Sequence, residues 1–329
     1  MSIFDDRVVG GRGSVRGDGV MGVPHDVADF SPKIYAGTGL RVVSLDWPSG
    51  DILWEHSLDG SGAINHIDTD PDGNVYCTEG GDSIYKIDPD GNRLWKEGPG
   101  DDVHGLTADP NQDVLVAHDR AGFGGPTVSK MDGDDGSIIW ADDENSGGNG
   151  RAVSGDSDGG VHFGTSAGNV VVRLSSAGSI IWETDDTELG AIRRIAASAD
   201  GKETLAIDTS ENIALFDNKG HELWNNEIDN RVESLEWGPD GRWYIGSSGG
   251  VEVWDSDGNK VESFVPEGGT IQGLSFDAAG NLYAAGSLNR INKYDTNLDF
   301  VGFIEYEDGA ALRALAVTPG KPNAFPGHW

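Results

Sequence analysis

The sequence predicts an all-β fold: a seven-bladed β-propeller of four-stranded antiparallel blades, closed by a C-terminal strand in the first blade. Three observations predict it. A turn phrase ending in an aromatic residue recurs along the chain, a hairpin pattern precedes the copies, and one strand near the C-terminus has no hairpin partner. A repeat period between about 20 and 50 residues is typical of solenoids and propellers, so the repeat determines the architecture.

The recurring phrase is Asp-x-x-Gly-x-x-x-Trp or a variant of it, and "DPDGNRLW" is its clearest copy. Aspartate, proline, glycine and asparagine are the residues that tight turns require, so each phrase is interpreted as a turn entering an outer strand. We expect the tryptophans among the final aromatic residues to be buried at equivalent positions. These aromatic residues lie 39 to 45 residues apart and are Trp54, Trp95, Trp140, Trp182, Trp224, Phe264 and Phe303.

A second pattern comes before the turn phrase in the repeats that follow Trp54. In "VHGLTADPNQDVLV" a short apolar run is followed by a polar turn and a second apolar run, and "VESLEWGPDGRWYI" repeats this order. Such a sequence is typical of a β-hairpin. Together with the strands on either side of the outer turn, each repeat holds four strands, which is the content of one propeller blade.

The two ends of the repeat array predict how the ring closes. "LRALAVTPG", Leu312 to Gly320, matches the first strand of a unit but is followed by no second strand. We expect it to complete blade 1 and so remove an open sheet edge. The alternative for this inner position is "HDVADF", His25 to Phe30. The predicted organisation is a Gly-rich N-terminal arm at 1–32, the propeller at 33–320 and a C-terminal tail at 321–329.

The "DPDGN" core of the phrase could also begin a calcium loop. An EF-hand loop needs a bidentate glutamate at its twelfth position. That position is Pro99 when counted from Asp88, and Pro266 when counted from Asp255. Neither side chain can be a ligand, so the turn interpretation is favoured, while single calcium ions in the Asp-rich turns stay open.

The same motifs resemble those of known propellers. Asp-x-x-Gly-x-x-x-Trp looks like the tryptophan-docking repeat of pyrroloquinoline-quinone-type propellers, and "AAGNLYAAG" is similar to the turn of NHL-like and gluconolactonase-like propellers. The resemblance covers about residues 33–318 and implies the fold, but propellers of this kind include enzymes, scaffolds and receptors. The quinone enzymes have a vicinal cysteine pair, whereas Cys77 is single here, so we expect no cofactor. Cys77 is interpreted as a small core residue.

The charge of the chain indicates its environment. Asp and Glu number 56 against 23 Lys and Arg, which gives a formal net charge of −33. Such a composition is typical of a protein from a halophilic archaeon or its virus. It disfavours nucleic acid and anionic membranes as partners. No apolar run approaches the roughly 18 residues of a membrane span, and the N-terminus lacks the apolar core of a signal peptide.

We expect the melting temperature of the protein to rise steeply with salt. The Debye length falls from about 10 Å at 0.1 M to about 3 Å at 1 M ionic strength, so molar salt screens the repulsion among the carboxylates. Thermal unfolding followed by circular dichroism across this range of NaCl measures the effect. A melting temperature that does not change with salt would contradict it.

Candidate binding residues lie where the first strand of each unit begins, because these strands approach the central channel of a propeller. Three arginines in so acidic a chain suit a carboxylate, phosphate or sulfate, or an acidic partner side chain. The alternative is that the charges pair with one another. A third hypothesis makes His104 and Glu233 an acid–base pair. The predicted channel ring is Asn65, His104, Arg151, Arg193, Glu233, Gln272 and Arg313.

The N-terminal arm contains Arg7, Arg12 and Arg16 and three aspartates within its first 18 residues, so it is neutral on an acidic chain. We interpret it as an arm that binds other subunits of an assembly. The predicted function is a non-enzymatic structural or recognition module, best a virion component (capsid or tail) of a haloarchaeal virus. The alternatives are a propeller enzyme of lyase or lactonase type and a cytoplasmic scaffold. The predicted location is a virion or other extracellular assembly, with the cytoplasm second.

Overall fold

The computed structural model describes residues 32–318 apart from 61, 80, 100, 120–125, 143–147, 168, 185–186 and 307–310. These residues form 28 strands in seven four-stranded antiparallel sheets. The predicted fold class is thereby confirmed. No helix in the described part of the chain is long and apolar enough to span a membrane. The arm residues Arg7, Arg12 and Arg16, the tail and the "HDVADF" segment lie outside the described residues.

The strands of each blade are consecutive in the chain except in blade 1. Blade 1 contains β1 (Ile34–Thr38), β2 (Arg41–Leu45), β3 (Ile52–Ser57) and β28 (Leu312–Val317). Blade 2 contains β4 (His66–Thr69), β5 (Val75–Thr78), β6 (Ile84–Ile87) and β7 (Arg93–Glu97). Blade 3 contains β8 (Val103–Ala108), β9 (Val114–His118), β10 (Val128–Met131) and β11 (Ile138–Asp142).

The remaining blades follow the same order from the channel to the rim. Blade 4 contains β12 (Gly150–Gly155), β13 (Val161–Thr165), β14 (Val171–Leu174) and β15 (Ile180–Glu183). Blade 5 contains β16 (Ile192–Ala197), β17 (Glu203–Asp208), β18 (Asn212–Asp217) and β19 (Glu222–Glu227). Blade 6 contains β20 (Val232–Trp237), β21 (Trp243–Ser247), β22 (Gly250–Trp254) and β23 (Lys260–Phe264). Blade 7 contains β24 (Ile271–Phe276), β25 (Leu282–Gly286), β26 (Arg290–Tyr294) and β27 (Phe300–Glu305).

The ring closes through β28, as the sequence predicts. β28 pairs antiparallel with β1, and Ile34 lies opposite Val317. Residues from the two ends of the described chain therefore form one sheet, and β28 covers the inner edge of β1.

The "DPDGN" segment forms the predicted outer turn between β6 and β7. The Asp88 carboxylate accepts hydrogen bonds from the backbone N–H groups of Asp90 (3.0 Å) and Asn92 (2.8 Å). Gly91 has φ +89°, a conformation that side-chain-bearing residues rarely adopt. The aspartate stabilises its own turn, and the glycine is required by the backbone.

The tryptophan of one outer strand packs on the outer turn of the next blade. The Trp54 Nε1–H donates to the Pro89 carbonyl (2.9 Å), and a Cβ on Gly91 would lie 2.8 Å from the indole. We call each interface between consecutive blades a seam, so this contact lies in seam 1/2. The same contact recurs in the next four seams, between Trp95 and Gly136, Trp140 and Gly178, Trp182 and Gly220, and Trp224 and Gly258.

The expectation that all five tryptophans are buried is only partly right. Trp95 and Trp182 are buried, at 8% and 7% exposure. The other three are half-buried, although all five lie on the outermost strand of their blade. They are Trp54, Trp140 and Trp224.

The alignment of Phe264 and Phe303 with these tryptophans is wrong in register. Trp95 lies opposite Lys86, on the neighbouring strand of its blade. The equivalent pairs are Val253 with Glu262 in blade 6 and Lys293 with Gly302 in blade 7. Blades 6 and 7 therefore have no tryptophan at the docking position.

Seam 7/1 reverses the contact. Trp47 comes from the outer turn of blade 1 and lies 3.6 Å from the position of a Cβ on Gly302. Its ring is edge-on to Tyr283, with centroids 5.8 Å apart. In this seam the tryptophan belongs to the outer turn and the glycine to the outer strand, the reverse of seam 1/2. Seam 6/7 differs again, because Leu298, with φ +65°, occupies the place of the turn glycine.

Four blades contain a buried ion pair between the turn after the first strand and the third strand. In blade 3, Lys130 Nζ lies 2.6 Å from Asp109 and 3.0 Å from Asp113. Burial alone would lower the pKa of Lys130, but these hydrogen bonds raise it above its ordinary value. The other three pairs are Asp70 with Lys86, Asp156 with Arg173, and Asp277 with Lys293.

The other three blades have neutral residues at both positions of this pair. The acid and the base therefore change together among the seven repeats, as expected where an unpaired buried charge is costly. The neutral combinations are Ser198 with Leu215, Gly238 with Val253, and Thr318 with Ser44.

Candidate functional site

The first strands of all seven blades surround a central cavity of about 490 Å³. All seven residues of the predicted channel ring line it. Two positions further along each first strand, an aliphatic residue also lines the cavity, so the polar ring lies next to an apolar wall. These residues are 2–9% exposed and are Ile67, Leu106, Val153, Ile195, Leu235, Leu274 and Leu315.

The cavity wall carries more basic than acidic side chains. Burial, with Arg194 nearby, lowers the pKa of His66 to about 3, so His66 adds no positive charge. The basic lining residues are Arg151, Arg193, Arg194, Arg231 and Arg313, and the acidic ones are Asp68, Glu233 and Glu236. In a chain of net charge −33, five arginines are therefore concentrated on the channel wall, where low-dielectric walls strengthen the field of any that lacks an acidic partner.

One cluster on the ring joins blades 3 and 4. His104 Nε2 lies 2.7 Å from the Asp119 carboxylate, which can only accept, so this nitrogen carries the proton of the hydrogen bond. Arg151 Nη1 lies against the same imidazole, 3.1 Å from Nδ1 and 3.2 Å from Nε2. His104 thus stands between an acid and a guanidinium, and both of its sides are occupied.

A second cluster joins blades 5 and 6. Glu233 accepts from Arg193 Nη2 (3.0 Å) on one oxygen and pairs with Arg231 Nε (2.9 Å) on the other. The Glu211 carboxylate lies 3.8 Å from Arg193. Arg194 donates to the Glu233 carbonyl (2.8 Å), and burial, with Arg193 beside it, lowers the pKa of Arg194 to about 10. His104 and Glu233 each have other partners and do not form the hypothesised acid–base pair.

The remaining three ring residues form an open arc on consecutive blades: Gln272 on blade 7, Arg313 on blade 1 and Asn65 on blade 2. Their side chains have no hydrogen-bond or ion-pair partner within the described residues, and those of Arg313 and Asn65 are exposed. A guanidinium offers five N–H donors and each amide two more. The arc can therefore bind a carboxylate or phosphate. Pairing within the ring accounts for Arg193 and Glu233 but not for Arg313.

The sequence did not identify the acidic partners Asp119 and Glu211. Both lie in loops between the second and third strands of a blade, after β9 and β17. The end of a second strand lies beside the start of the first strand in an antiparallel pair. Acidic residues directly after second strands were the signal that could have indicated them.

Cys77 is a core residue, as predicted from its position. It is fully buried opposite Ile67, and burial raises the pKa of its thiol. Among the described residues, no three or more His, Cys, Asp or Glu side chains are placed to share a metal ion.

Comparison with known proteins identifies a family for the chain. The family model described as outer membrane protein assembly factor BamB matches residues 38–262. This span runs from the end of β1 to β23, and so covers most of blades 1 to 6. No curated protein matches the chain.

Proposed function

This chain belongs to the PQQ_2 family, described as outer membrane protein assembly factor BamB, and from that premise we propose that it is a non-enzymatic recognition module within a larger assembly. The family description names an assembly factor, which supports a role among other proteins. The open arc of Gln272, Arg313 and Asn65 is the observation that carries the proposal. Its unpaired donors suit an acidic group that a partner inserts into the channel.

The acidic surface supports insertion rather than face-to-face packing. Acidic residues dominate a chain of net charge −33, whereas the channel mouth offers the guanidinium of Arg313 to an acidic group of a partner. The cavity of about 490 Å³ lies within the usual range of about 300–1,000 Å³ for ligand pockets. A carboxylate on a loop or chain end of the partner fits this site, because it can reach the arc while the two surfaces stay apart.

For the setting of the module we propose a virion, in which the protein is a capsid or tail component of a haloarchaeal virus. The acidic composition supports a halophilic source. Other subunits would bind the arm that carries Arg7, Arg12 and Arg16. A cytoplasmic scaffold is the second setting, and the acidic partner at the channel mouth is the same in both.

A catalytic alternative of lyase or lactonase type has one observation in its favour. The hydrogen bond of 2.7 Å between Asp119 and His104 is the arrangement that orients a general acid or base. Against it, Arg151 Nη1 already lies 3.1 Å from Nδ1 of the same imidazole, so that both sides of the ring are occupied. The binding function depends on Arg313, whose side chain has no hydrogen-bond or ion-pair partner among the described residues.

We expect Arg313→Gln to weaken binding of an acetylated tri-glutamate peptide by about 10- to 100-fold, because a hydrogen bond to a charged group contributes about 1.5–3 kcal/mol. Isothermal titration calorimetry at one fixed salt concentration measures the affinity. Arg93→Gln is the matched control, since Arg93 pairs with Asp59 on the rim, and it should bind as the parent does. A tri-glutamine peptide should not bind.

Equal affinity of Arg313→Gln and the parent for the peptide would refute the channel-mouth site. Hydrolysis of a lactone panel by the parent, lost in His104→Ala but kept in Arg313→Gln, would favour the catalytic alternative instead.

A further inference from the structure

Seam 6/7 contains a groove of about 180 Å³, on the face that carries the turns. Tyr244, Phe276, Thr296 and Leu298 are among the residues that line it. Five other seams hold an outer-strand indole at the docking position and seam 7/1 holds Trp47 from the outer turn, whereas the described residues of seam 6/7 place no indole there. The groove therefore coincides with the missing tryptophan.

Two parts of the groove match contacts that Trp54 makes in seam 1/2, and a third part differs. Trp54 lies 5.6 Å from the Tyr35 ring, donates to the Pro89 carbonyl, and packs on Gly91. By register along the second strand and the outer turn, the equivalents are Tyr244, the Thr296 carbonyl and Leu298, and all three line the groove. An aromatic ring and a carbonyl acceptor are thus present without an indole, while Leu298, which packs against the cluster of Tyr244 and Phe276, stands where seam 1/2 has a glycine.

The side chains of the outer strand do not fill this position. Glu262, which occupies the docking position, is exposed, and Phe264 packs against Tyr294 at 4.7 Å between centroids. The hydroxyl of Tyr244 donates within its own blade, to Asp240 (2.8 Å). The Tyr35 hydroxyl instead donates across its seam to the Gly73 carbonyl (3.3 Å). The groove therefore lacks both the indole and the cross-blade hydrogen bond.

Carboxylates surround the groove. Asp295 and Asp240, of which Asp240 pairs with Arg242 (3.3 Å), line it, and the exposed Glu262 stands at the docking position of the adjacent strand. Glu262 has no hydrogen-bond or ion-pair partner in the described part of the chain. A positively charged group beside an aromatic side chain complements this rim.

We propose that the seam 6/7 groove binds a tryptophan side chain of a partner protein, in a segment with lysine or arginine next to that tryptophan. Because a Cβ at the turn glycine of seam 1/2 would lie 2.8 Å from the docked indole, the partner's indole lies further from the turn than Trp54 does, between Tyr244 and Leu298. The volume suits one aromatic group, since an apolar cavity of about 150 Å³ is enough to hold benzene. This site is separate from the channel mouth. A basic segment with a tryptophan fits the groove, whereas an acidic segment fits the channel mouth.

The probe is an acetyl-Lys-(5-fluoro-Trp)-Lys-amide peptide observed by ¹⁹F NMR at fixed salt, which avoids interference from the tryptophans of the protein. The parent should broaden and shift the fluorine signal in a saturable manner. The peptide with both lysines replaced by glutamate should bind at least about 10-fold more weakly because the rim is acidic.

The decisive variant is Glu262→Trp combined with Leu298→Gly, which rebuilds the docking pair from within the chain. It should abolish peptide binding and raise the denaturant midpoint. Glu227→Trp, an exposed position at the rim of blade 5, is the matched control and should leave binding unchanged. If the double variant fails to fold, Ala279→Leu at the exposed lip of the groove should weaken binding instead.

An unperturbed fluorine signal with the parent, or undiminished binding by the variant that fills the groove, would overturn the proposal. Concentration-dependent dimerisation of the parent that the double variant removes, measured by sedimentation, would assign the groove to a second copy and also overturn it. Arg313→Gln should bind this peptide normally, so failure here is distinct from failure of the channel-mouth function.

Discussion

Trp95→Ala should lower the free energy of unfolding by about 3 to 5 kcal/mol. The indole is 8% exposed, lies 5.9 Å from the Tyr76 ring, and donates to the Gly133 carbonyl (2.9 Å) across seam 2/3. Truncation leaves a cavity between two blades and removes one of the two hydrogen bonds to the Gly133 carbonyl, which Lys86 Nζ still contacts at 2.7 Å. Equilibrium urea unfolding of parent and variant in molar salt measures the change.

Leu94→Ala is the matched control for this substitution. Leu94 precedes the tryptophan on the same outer strand and is 52% exposed, so its truncation should change the free energy by no more than about 0.5 kcal/mol. Equal losses in the two variants would mean that the docked indole does not hold the seam together.

Lys130→Leu should destabilise the protein by about 3 to 5 kcal/mol, because it leaves the carboxylates of Asp109 and Asp113 without their cation. Asp109 is 2% exposed, so water does not replace the lost partner. Combining Lys130→Leu with Asp109→Ser copies the Ser198 and Leu215 combination of blade 5 and should recover most of the loss. Urea unfolding of the two single variants and the double variant forms a double-mutant cycle.

The matched control applies the same logic to a blade that has no ion pair. Leu215→Lys places a charge opposite Ser198 in blade 5 and should destabilise it, and adding Ser198→Asp should restore part of the stability. Additive effects in both cycles would contradict the coupling that the seven repeats indicate.

The blade count and the closing strand could be predicted because they depend on spacing alone. Hairpins of fixed length repeat, and Leu312 to Val317 form a strand with no local partner. The docking register was also present in the sequence, as a constant distance of four residues from the turn glycine to the tryptophan. Counting from Gly258 leads to Glu262 and not to Phe264. The alignment of Phe264 and Phe303 with the tryptophans was wrong because it matched aromatic residues instead of counting from the turn glycine.

The positions of the ring residues follow from the repeat, but their partners do not. Arg193 and Glu233 occupy equivalent places one repeat apart, so their pairing could have been expected from adjacency. The partner of His104 lies in a loop, at Asp119, and the repeat does not fix where a loop directs its side chains. The side chain of Arg313 has no acidic partner among the residues that the structure describes. This can be recognised only after the partners of the other charged residues are known.

The pairing of β28 with β1 has a consequence for synthesis on the ribosome. The strands β1, β2 and β3 leave the ribosome first, yet the strand that completes their sheet is translated after all six other blades. Until then the nascent chain exposes the inner edge of β1, to which another chain can add as a strand. Contacts of such long sequence separation also form slowly. We infer that the risk of aggregation is greatest in the interval before residue 317 emerges, and that ring closure is the last step that removes it.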